Sequence, residues 1–389
     1  MKYRLDKHGN ELSVLGFGCM RFPKSIDETE KLILYAIENG INYFDTAYIY
    51  GDSEKVLGTI LKKNNLRDKI YIATKLPLMN IRKREDFDRY FNTQLERLQV
   101  DYIDYYFMHC ITDMDMWLKF CEMGIEEWIK EKLESGKIKQ IGFSFHGPEQ
   151  DFLKVIDAYN WDFCMIQYNY MNINYQAGKT GLLRAHEKGI PVMIMEPLLG
   201  GKLATNLPKK AMEAFKKVNS NATPAAWALN WLWNQKEPVV ILSGMSSMRD
   251  VKENIGLAKK AEVGMLNEKE INTINEVIKI FGEADKINCT GCNYCMPCPM
   301  NVNIPVAFLS YNTYYAMSRI EGLKQYTMSI GMNAKKKVRI ANCTKCGICE
   351  KKCPQNIPIM KELKIVRKKI EPFWMRGVLK VAKIYLNRK

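Results

Sequence analysis

The 389-residue chain lacks several features that define whole classes of protein. No apolar run approaches the ~20 residues that a helix needs to cross a bilayer. The first eight residues carry too many charges to form the apolar core of a secretory signal. No nucleic-acid recognition motif accompanies the positive net charge, so we expect no nucleic-acid partner. These absences predict a cytoplasmic globular protein, and its twelve cysteines suit a compartment that keeps thiols reduced.

Eight of the twelve cysteines lie in two short runs near the C-terminus, and each run ends in Cys-Pro. Three thiolates at x2 spacing bind three corners of one [4Fe–4S] cube, and the cysteine before proline binds the neighbouring cube. The spacing therefore predicts two clusters with crossed ligation. The ligands of the first would be Cys289, Cys292, Cys295 and Cys353, and those of the second Cys343, Cys346, Cys349 and Cys298. Cys298 departs from the usual pattern because two residues, not three, separate it from Cys295.

Zinc and disulfides are the alternative uses of these cysteines. Zinc sites usually pair two C-x-x-C segments across a gap of roughly a dozen or more residues. Here each run packs four cysteines into a short segment with no such gap. A disulfide scaffold is typical of short secreted chains, and this chain is long and has no secretory signal. The pattern favours [4Fe–4S] clusters over both.

The net charge of +15 is concentrated at the C-terminal end of the sequence. Residues 335–389 contain 17 Lys and Arg against three Glu, and the rest of the chain is close to neutral. Part of this excess offsets the negative charge of thiolate-bound clusters. The remainder favours an acidic electron carrier, such as a ferredoxin or a flavodoxin, as a partner.

The last segment, residues 361–389, is predicted to be a basic amphipathic tail. Apolar residues recur at helical spacing between its Lys and Arg residues, at Trp374, Val378, Val381 and Tyr385. Such a helix can dock on the protein's own surface, or it can make a peripheral contact with a membrane or a partner. Both interpretations stay open.

Before residue 282 the sequence repeats a short apolar run, a polar residue and an amphipathic helix. Eight such runs over about 250 residues predict an α/β fold, the (β/α)8 TIM barrel, with a hairpin at Tyr3–Leu12 that closes the barrel floor. An open doubly wound sheet is the alternative, and the absence of GxGxxG after the first strand weighs against it. The predicted strands are Leu15–Gly18, Ile41–Phe44, Ile70–Thr74, Tyr102–Met108, Gln140–Phe143, Phe163–Ile166, Pro191–Met195 and Val239–Leu242.

Three segments follow from these patterns. We expect the barrel over residues 1–282, a ferredoxin-like dicluster domain over 283–360 and the basic tail over 361–389. Within the barrel, helices are predicted between the strands, for example at Glu28–Glu38, Asp86–Leu98 and Ala225–Trp233.

Polar residues end six of the predicted strands. Because the carboxyl ends of barrel strands share one rim, these side chains are expected to converge on a single site. They are Asp45, Lys75, His109, Ser144, Gln167 and Glu196. His146, two residues past its strand, either faces this site or lies on the surface.

Tyr50 follows the second strand within the segment Asp45-Thr-Ala-Tyr-Ile-Tyr50-Gly51. A phenol with an ordinary pKa near ~10 is a weak acid at neutral pH. An adjacent ammonium such as Lys75, fixed by Asp45, would stabilise the phenolate and make the phenol a better acid. Tyr50 could then give a proton to a carbonyl oxygen that His109 orients.

The ordered set of motifs in residues 1–280 resembles the aldo-keto reductase family. The resemblance implies hydride transfer between NAD(P)H and a small carbonyl or alcohol substrate, with a catalytic tetrad of Asp45, Tyr50, Lys75 and His109. The members with a C-terminal ferredoxin-like extension are similar to the whole chain, including both cysteine runs. The motifs are Gly16-Phe-Gly18, Asp45-Thr-Ala-x-x-Tyr50-Gly51, Ala73-Thr-Lys75, Tyr106-Phe-Met-His109, Gly142-Phe-Ser144, Ile166-Gln167-Tyr-Asn169 and Glu196-Pro197-Leu198.

The same resemblance implies a nucleotide site. Met195 stands where the family usually has a tyrosine that stacks on the nicotinamide, and a thioether can pack on that ring. The basic residue that often meets a 2′-phosphate is missing just after the last strand, where Arg249 is the available substitute, so NADP(H) and NAD(H) both stay open. The implied nucleotide contacts are Ser144, Gln167, Asn169, Met195, Glu196, Ser246, Arg249, Glu253 and Asn254.

Two functions stay open. The first is an NAD(P)H-dependent carbonyl reductase whose clusters exchange electrons with a carrier. Hydride carries two electrons whereas a cluster passes one at a time, so coupling them normally needs a flavin, which no sequence feature indicates. The second is an electron-transfer or redox-sensing iron–sulfur protein whose barrel binds nucleotide but turns over little. The complete tetrad favours the first.

Overall fold

The computed structural model describes residues 1–205, 207–284, 286–316, 318–331 and 339–372. The chain divides into two units, one of Met1–Leu198 with Ala226–Asn267 and one of Leu199–Ala225 with Glu268–Lys389. The predicted tail residues from 373 onward, including Trp374, Val378, Val381 and Tyr385, lie outside the described residues. In the described part of the chain, no helix is both long and apolar enough to pass through a bilayer.

Eight parallel strands in the first unit close into a barrel, and a two-stranded antiparallel hairpin, β1 (Tyr3–Leu5) and β2 (Glu11–Ser13), precedes them. Each strand pairs with the next in sequence, and the last pairs with the first. The barrel strands are β3 (Leu15–Gly18), β4 (Tyr43–Asp45), β5 (Tyr71–Leu76), β6 (Ile103–Ile111), β7 (Ile138–Phe145), β8 (Phe163–Gln167), β9 (Val192–Met195) and β10 (Pro238–Ser243).

Helices follow the barrel strands, as the predicted alternation requires. Their apolar faces pack on the outside of the strands in one continuous core. In chain order these helices are α1 (Ile26–Glu38), α2 (Ser53–Lys63), α3 (Glu85–Leu98), α4 (Met114–Glu122), α5 (Ile125–Glu134), α6 (Glu149–Ala158), α7 (Gly178–Glu187), α10 (Pro224–Trp233) and α11 (Met248–Ala258); α8 (Lys202–Thr205) and α9 (Lys209–Val218) lie between α7 and α10 in sequence but belong to the second unit.

The barrel interior is filled with side chains, and the hairpin contributes to its floor. Apolar residues of alternate strand positions form a separate inner cluster that includes Leu12 from the hairpin. Asp6 of the hairpin accepts hydrogen bonds from the Tyr105 hydroxyl at 2.6 Å and from Gln140 Nε2 at 2.5 Å. The predicted role of the hairpin as a floor is consistent with these contacts.

The helices after Asn267 belong to the second unit. They are α12 (Glu268–Ala284), α13 (Ile304–Ala316), α14 (Arg319–Gly331), α15 (Ile348–Lys351) and α16 (Ile359–Ile370). A small core of Ile, Val, Leu and aromatic residues joins α13 and α16, and cluster-run cysteines pack against it. Leu363, Val366 and Ile370 of α16 are buried in this core. The first ten residues of the predicted tail are therefore part of a packed helix.

The predicted barrel is confirmed, and all eight strands are present. Several strands extend one to three residues beyond the predicted ends, most of all β6, which runs to Ile111 rather than Met108. The predicted strands ended just before Lys75, His109 and Ser144. In the structure Lys75, His109 and Ser144 are themselves strand residues, because the main-chain pairing continues to the rim.

Candidate active site and cluster sites

Three residues of the predicted tetrad lie at the carboxyl ends of neighbouring strands. Asp45 ends β4, Lys75 lies one residue before the end of β5, and His109 lies near the end of β6. Tyr50 is in the loop between β4 and α2. Since parallel strands of a closed barrel end at one rim, residues as far apart in sequence as Asp45 and His109 meet there.

A buried ion pair joins two of these residues. The Lys75 ammonium donates to both carboxylate oxygens of Asp45 and to the main-chain oxygen of Thr46, at 2.7 Å in each case. Burial lowers the pKa of Lys75 and raises the pKa of Asp45, while the attraction between them opposes both shifts. With an acceptor for each of its three N–H groups, the ammonium is held in a fixed position.

The Tyr50 ring lies close to both the lysine and the histidine. The Lys75 nitrogen is 5.2 Å from the centroid of the ring. The His109 ring meets it edge-on, with 6.2 Å between the ring centroids. All four side chains that the sequence grouped as a tetrad are therefore brought together.

His109 is a neutral imidazole at neutral pH. Burial, the Lys75 charge and nearby His146 lower its pKa well below the ordinary value. Its Nδ1 atom is buried and has no hydrogen-bond partner within the described residues. The ring can therefore hydrogen-bond to a polar group, but it is poorly suited to release a proton as imidazolium.

His146 is buried, so the interpretation as a surface histidine is wrong. Only 5% of it is exposed, and its main-chain N–H donates to the oxygen of Ile111 at 2.9 Å, at the end of β6. Burial lowers the pKa of His146 to about 4, although its hydrogen bond with Gln176 acts in the opposite direction. The bond to Ile111 ties His146 to the end of the strand that carries His109.

Sequence reasoning missed Glu54, a fully buried carboxylate in the first turn of α2. One of its oxygens accepts from the Thr74 hydroxyl and from Gln94 Nε2, both at 2.7 Å. The other accepts from Arg97 at 3.2 Å. The network ties the helix after the Tyr50 loop to the strand that carries Lys75. An acidic residue in a first helical turn is usually solvated, so only its spacing four residues after Tyr50 could have drawn attention to it.

Ser144 and Gln167, predicted to hold the nicotinamide carboxamide, are buried at the ends of β7 and β8. The Ser144 hydroxyl oxygen accepts the main-chain N–H of Cys110 at 2.8 Å. Cys110 has a φ of 63° and lies where β6 shifts register. The irregular end of β6 thus fixes the serine beside the strand that carries His109.

Asn169, Met195 and Glu196 lie at the neighbouring part of the rim. Met195 ends β9 and pairs in register with Gln167 of β8. The Asn169 amide donates to the main-chain oxygen of Glu196 at 3.1 Å, and its oxygen accepts two main-chain N–H groups of its own loop. Asn169 therefore holds the loop after β8 in place, and these three bonds use only one of its two amide hydrogens.

The other predicted nucleotide contacts lie on α11 and in the segment before it. Asn254 is buried and donates to the Ser243 hydroxyl at the end of β10, at 3.0 Å. Arg249 is largely exposed and lies 3.6 Å from Asp250. Ser246 is exposed and Glu253 half-buried. The structure thus brings Ser246 and Arg249 to the N-terminal turn of one helix, while Asn254 anchors that helix to its strand.

The cysteines of the second unit line two cavities. Cys289, Cys292, Cys295 and Cys353 line the first. The second is lined by Cys298, Cys343, Cys346 and Cys349, and Cys295 lines both cavities. Each cavity thus offers the four thiolates that a [4Fe–4S] cluster requires. The last cysteine of each run lies with the first three of the other run, including Cys298, which follows a cis peptide between Met296 and Pro297.

The first cavity holds its thiols close together. Burial, and then the proximity of Cys289, Cys292 and Cys353, raise the pKa of Cys295 to about 12. A thiol in such surroundings ionises when a metal takes the place of its proton. Asn312 positions the segment before this run, since its side chain bonds the main chain of Ile287 through both its oxygen and its nitrogen.

The sequence matches two family models. Residues 14–279 match the aldo/keto reductase family, and residues 288–358 match the 4Fe–4S dicluster domain. Solved structures share the barrel: the holo form of aldo-keto reductase AKR11C1 from Bacillus halodurans aligns with a TM-score of 0.60 and 24% identity, covering 71% of this chain and 96% of that one.

Curated relatives agree with the family models. Probable aldo-keto reductase 1 of Glycine max is 31% identical, over 71% of this chain and 88% of its own length. Aldo-keto reductase str7 of Strobilurus tenacellus is 26% identical, over 68% and 89%. Aldo-keto reductase yakc [NADP(+)] of Schizosaccharomyces pombe is 23% identical, over 71% and 92%. The chain therefore belongs to the aldo/keto reductase family and carries a C-terminal 4Fe–4S dicluster domain.

Proposed function

We propose that the protein is an NAD(P)H-dependent carbonyl reductase in which Tyr50 is the general acid and two [4Fe–4S] clusters exchange electrons with a carrier. One observation carries the catalytic part of this proposal. The Lys75 ammonium is fixed by three acceptors and lies 5.2 Å from the Tyr50 ring, with His109 on the same ring. Ring packing alone would not require a buried cation beside a phenol.

Each member of the tetrad has a distinct part in the reaction. Tyr50 gives its proton to the carbonyl oxygen of the substrate as the carbon is reduced. The fixed charge of Lys75 stabilises the phenolate left behind, and Asp45 holds that charge in place. His109, neutral because of its lowered pKa, orients the carbonyl through a hydrogen bond.

The nicotinamide would supply hydride when it is bound. The buried hydroxyl of Ser144 and the buried amide of Gln167 are the kinds of group that hold a carboxamide, so the rim fits this cofactor. Met195 would pack on the ring through its thioether. Ser246 and Arg249 would meet phosphate at the N-terminal turn of α11, where main-chain N–H groups favour anions. Glu253 and Asn254 would meet the adenine end.

The second unit would hold two clusters by crossed ligation. The two four-cysteine cavities support this arrangement, since each combines three cysteines of one run with the last cysteine of the other. The clusters supply one-electron transfer. A flavin is the adaptor that would couple hydride to such transfer. We assign the barrel enzyme to residues 1–282, the cluster domain to 283–360 and a basic tail to 361–389.

The test is Tyr50→Phe in anaerobically purified protein that is assayed for NADPH- and NADH-dependent reduction of a panel of small aldehydes and ketones. We expect kcat to fall by roughly 10²–10⁴-fold, the usual contribution of a positioned general acid. Nucleotide binding, followed by quenching of tryptophan fluorescence, should be unchanged.

Tyr159→Phe is the matched control because it removes one hydroxyl from a half-buried tyrosine that packs on the buried Trp117 and Trp161. Its kcat should stay within about twofold of the parent protein. Wild-type protein that binds nucleotide and both clusters but reduces no carbonyl compound would instead support the electron-transfer or redox-sensing alternative. Equal activity of Tyr50→Phe and wild type would refute the proposed acid.

A further inference from the structure

The two halves of the cluster domain differ sharply in charge. Residues 287–318, which include the whole first cysteine run, contain no Asp, Glu, Lys, Arg or His. Residues 343–370, which include the second run and α16, contain eight Lys and Arg and two Glu. The positive charge of the C-terminal region therefore accompanies the second run, and two clusters of equal negative charge would not by themselves require such an imbalance.

The two halves also differ in exposure. Cys346 is the one cysteine of the two runs that is exposed, whereas the other seven are half-buried. Two apolar side chains that line the same cavity, Ile348 and Met300, are 44% and 38% exposed. A cluster in the second cavity would therefore approach the surface at Cys346, with an apolar rim around it.

Three exposed lysines lie within six residues of Cys346 in the sequence. Lys345 precedes Cys346, and Lys351 and Lys352 lie between Cys349 and Cys353, at the end of α15. None of the three has an ion-pair partner in the parts of the chain that the structure describes. Unpaired charges around a small apolar opening are typical of surfaces that steer a transient partner of opposite charge, since such contacts raise the association rate more than the affinity.

We propose that this surface, formed by Lys345, Cys346, Ile348, Lys351 and Lys352, is the docking site for a small acidic one-electron carrier. The carrier then exchanges electrons directly with the second cluster, and the second cluster exchanges them with the first. In each transfer the reduced carrier loses one electron and the oxidised second cluster gains it, with no bond formed and no proton moved. The inference rests on the two-cluster part of the proposed function.

The test is the rate at which reduced flavodoxin, an acidic carrier, passes an electron to the oxidised holoprotein under anaerobic stopped flow. The docking variant is Lys351→Glu with Lys352→Glu. The matched control is Lys209→Glu with Lys210→Glu, two exposed residues of α9, which changes the net charge by the same amount in the same unit. Iron content and the low-temperature electron paramagnetic resonance spectra of the dithionite-reduced proteins establish that every variant holds both clusters.

At low ionic strength we expect the second-order rate constant of the docking variant to fall about tenfold or more, and that of the control to change less than twofold. The difference should vanish at about 1 M salt, where the Debye length is near ~3 Å. If the docking variant loses a cluster, Lys351→Gln with Lys352→Gln is used, with a smaller expected loss.

Equal slowing of both variants would overturn the proposal, because only net charge would then matter. So would a wild-type protein whose clusters dithionite reduces and flavodoxin does not. A preparation with fewer than two clusters refutes the two-cluster assignment, and the iron content shows this before any rate is measured. Carbonyl reduction takes no part in the assay, so failure of the barrel chemistry leaves this test intact.

Discussion

Replacing Lys75 by methionine should separate the effect of the buried ion pair on stability from its effect on activity. The variant removes the cation and leaves the Asp45 carboxylate buried, with both its oxygens deprived of the 2.7 Å contacts from the ammonium. Breaking one half of a buried pair typically costs about 3–5 kcal/mol. Asp45→Asn with Lys75→Met removes both charges, and we expect that double variant to recover to within about 2 kcal/mol of wild type.

The pH dependence of this loss follows from the aspartate. Burial already raises the pKa of Asp45, and the lysine opposes that shift, so removal of Lys75 raises the pKa further. An acid whose pKa is higher in the folded than in the unfolded state stays protonated on folding at low pH and costs nothing there. The stability of Lys75→Met should therefore fall as pH rises from the unfolded value near ~4 through the folded value.

The assay is the thermal unfolding midpoint of the barrel, followed by near-ultraviolet circular dichroism in anaerobic buffers at pH 5 and pH 8. At pH 8 the single variant should unfold about 10 °C below wild type, from a few degrees per kcal/mol, and its deficit should shrink at pH 5. Both variants should be inactive, although only the single variant is strongly destabilised. A double variant no more stable than Lys75→Met would refute the argument that an unpaired charge causes the loss.

Three further predictions concern other contacts. His146→Gln should make the protein less sensitive to acid: between pH 7.5 and pH 5 the variant should lose about 2 kcal/mol less stability than wild type. The reason is that a histidine with a pKa of about 4 when folded takes up a proton on unfolding once the pH is below its ordinary pKa of ~6.5. Equal acid sensitivity of both proteins in urea titrations would contradict this. Asp6→Asn should destabilise the barrel by about 1–3 kcal/mol, since the Tyr105 and Gln140 bonds lose their anionic acceptor; its kcat should be unchanged, and the stability difference should begin to shrink as pH falls below the unfolded value of ~4 and disappear only below the lowered folded pKa of Asp6. Cys353→Ser should disturb the cluster that the first run holds and spare the other, and Cys298→Ser should do the reverse; spectra that lose the cluster of the mutated run itself would exclude crossed ligation.

Most of the fold was predictable because its signals are local. A strand of a parallel barrel is buried on both faces, so it appears in sequence as a short apolar run, and the polar residue after it marks the rim. Asp45, Lys75 and His109 were found in this way. The cysteine spacing was equally informative, because three thiolates at x2 spacing fit one cube whatever surrounds them.

The contacts that complete the site had no such signal. Glu54 is charged and lies in a first helical turn, which predicts a solvated residue, yet it is fully buried by Thr74, Gln94 and Arg97. For His146 the sequence allowed both a position facing the site and a position on the surface, and only its burial in the structure decided between them. Burial depends on what packs against a residue from distant parts of the chain, and no single segment records that.

The sequence by itself determined the closed barrel, the two cysteine runs and the four residues that we propose as the tetrad, because each depends on residue type and short-range spacing. Only the tertiary structure decided which oxygens hold Lys75, that His109 stays neutral, and that Cys346 is the exposed thiol of its cavity. Those properties arise from distances between groups far apart in the chain and from the water that their packing excludes, and both are fixed only when the chain folds.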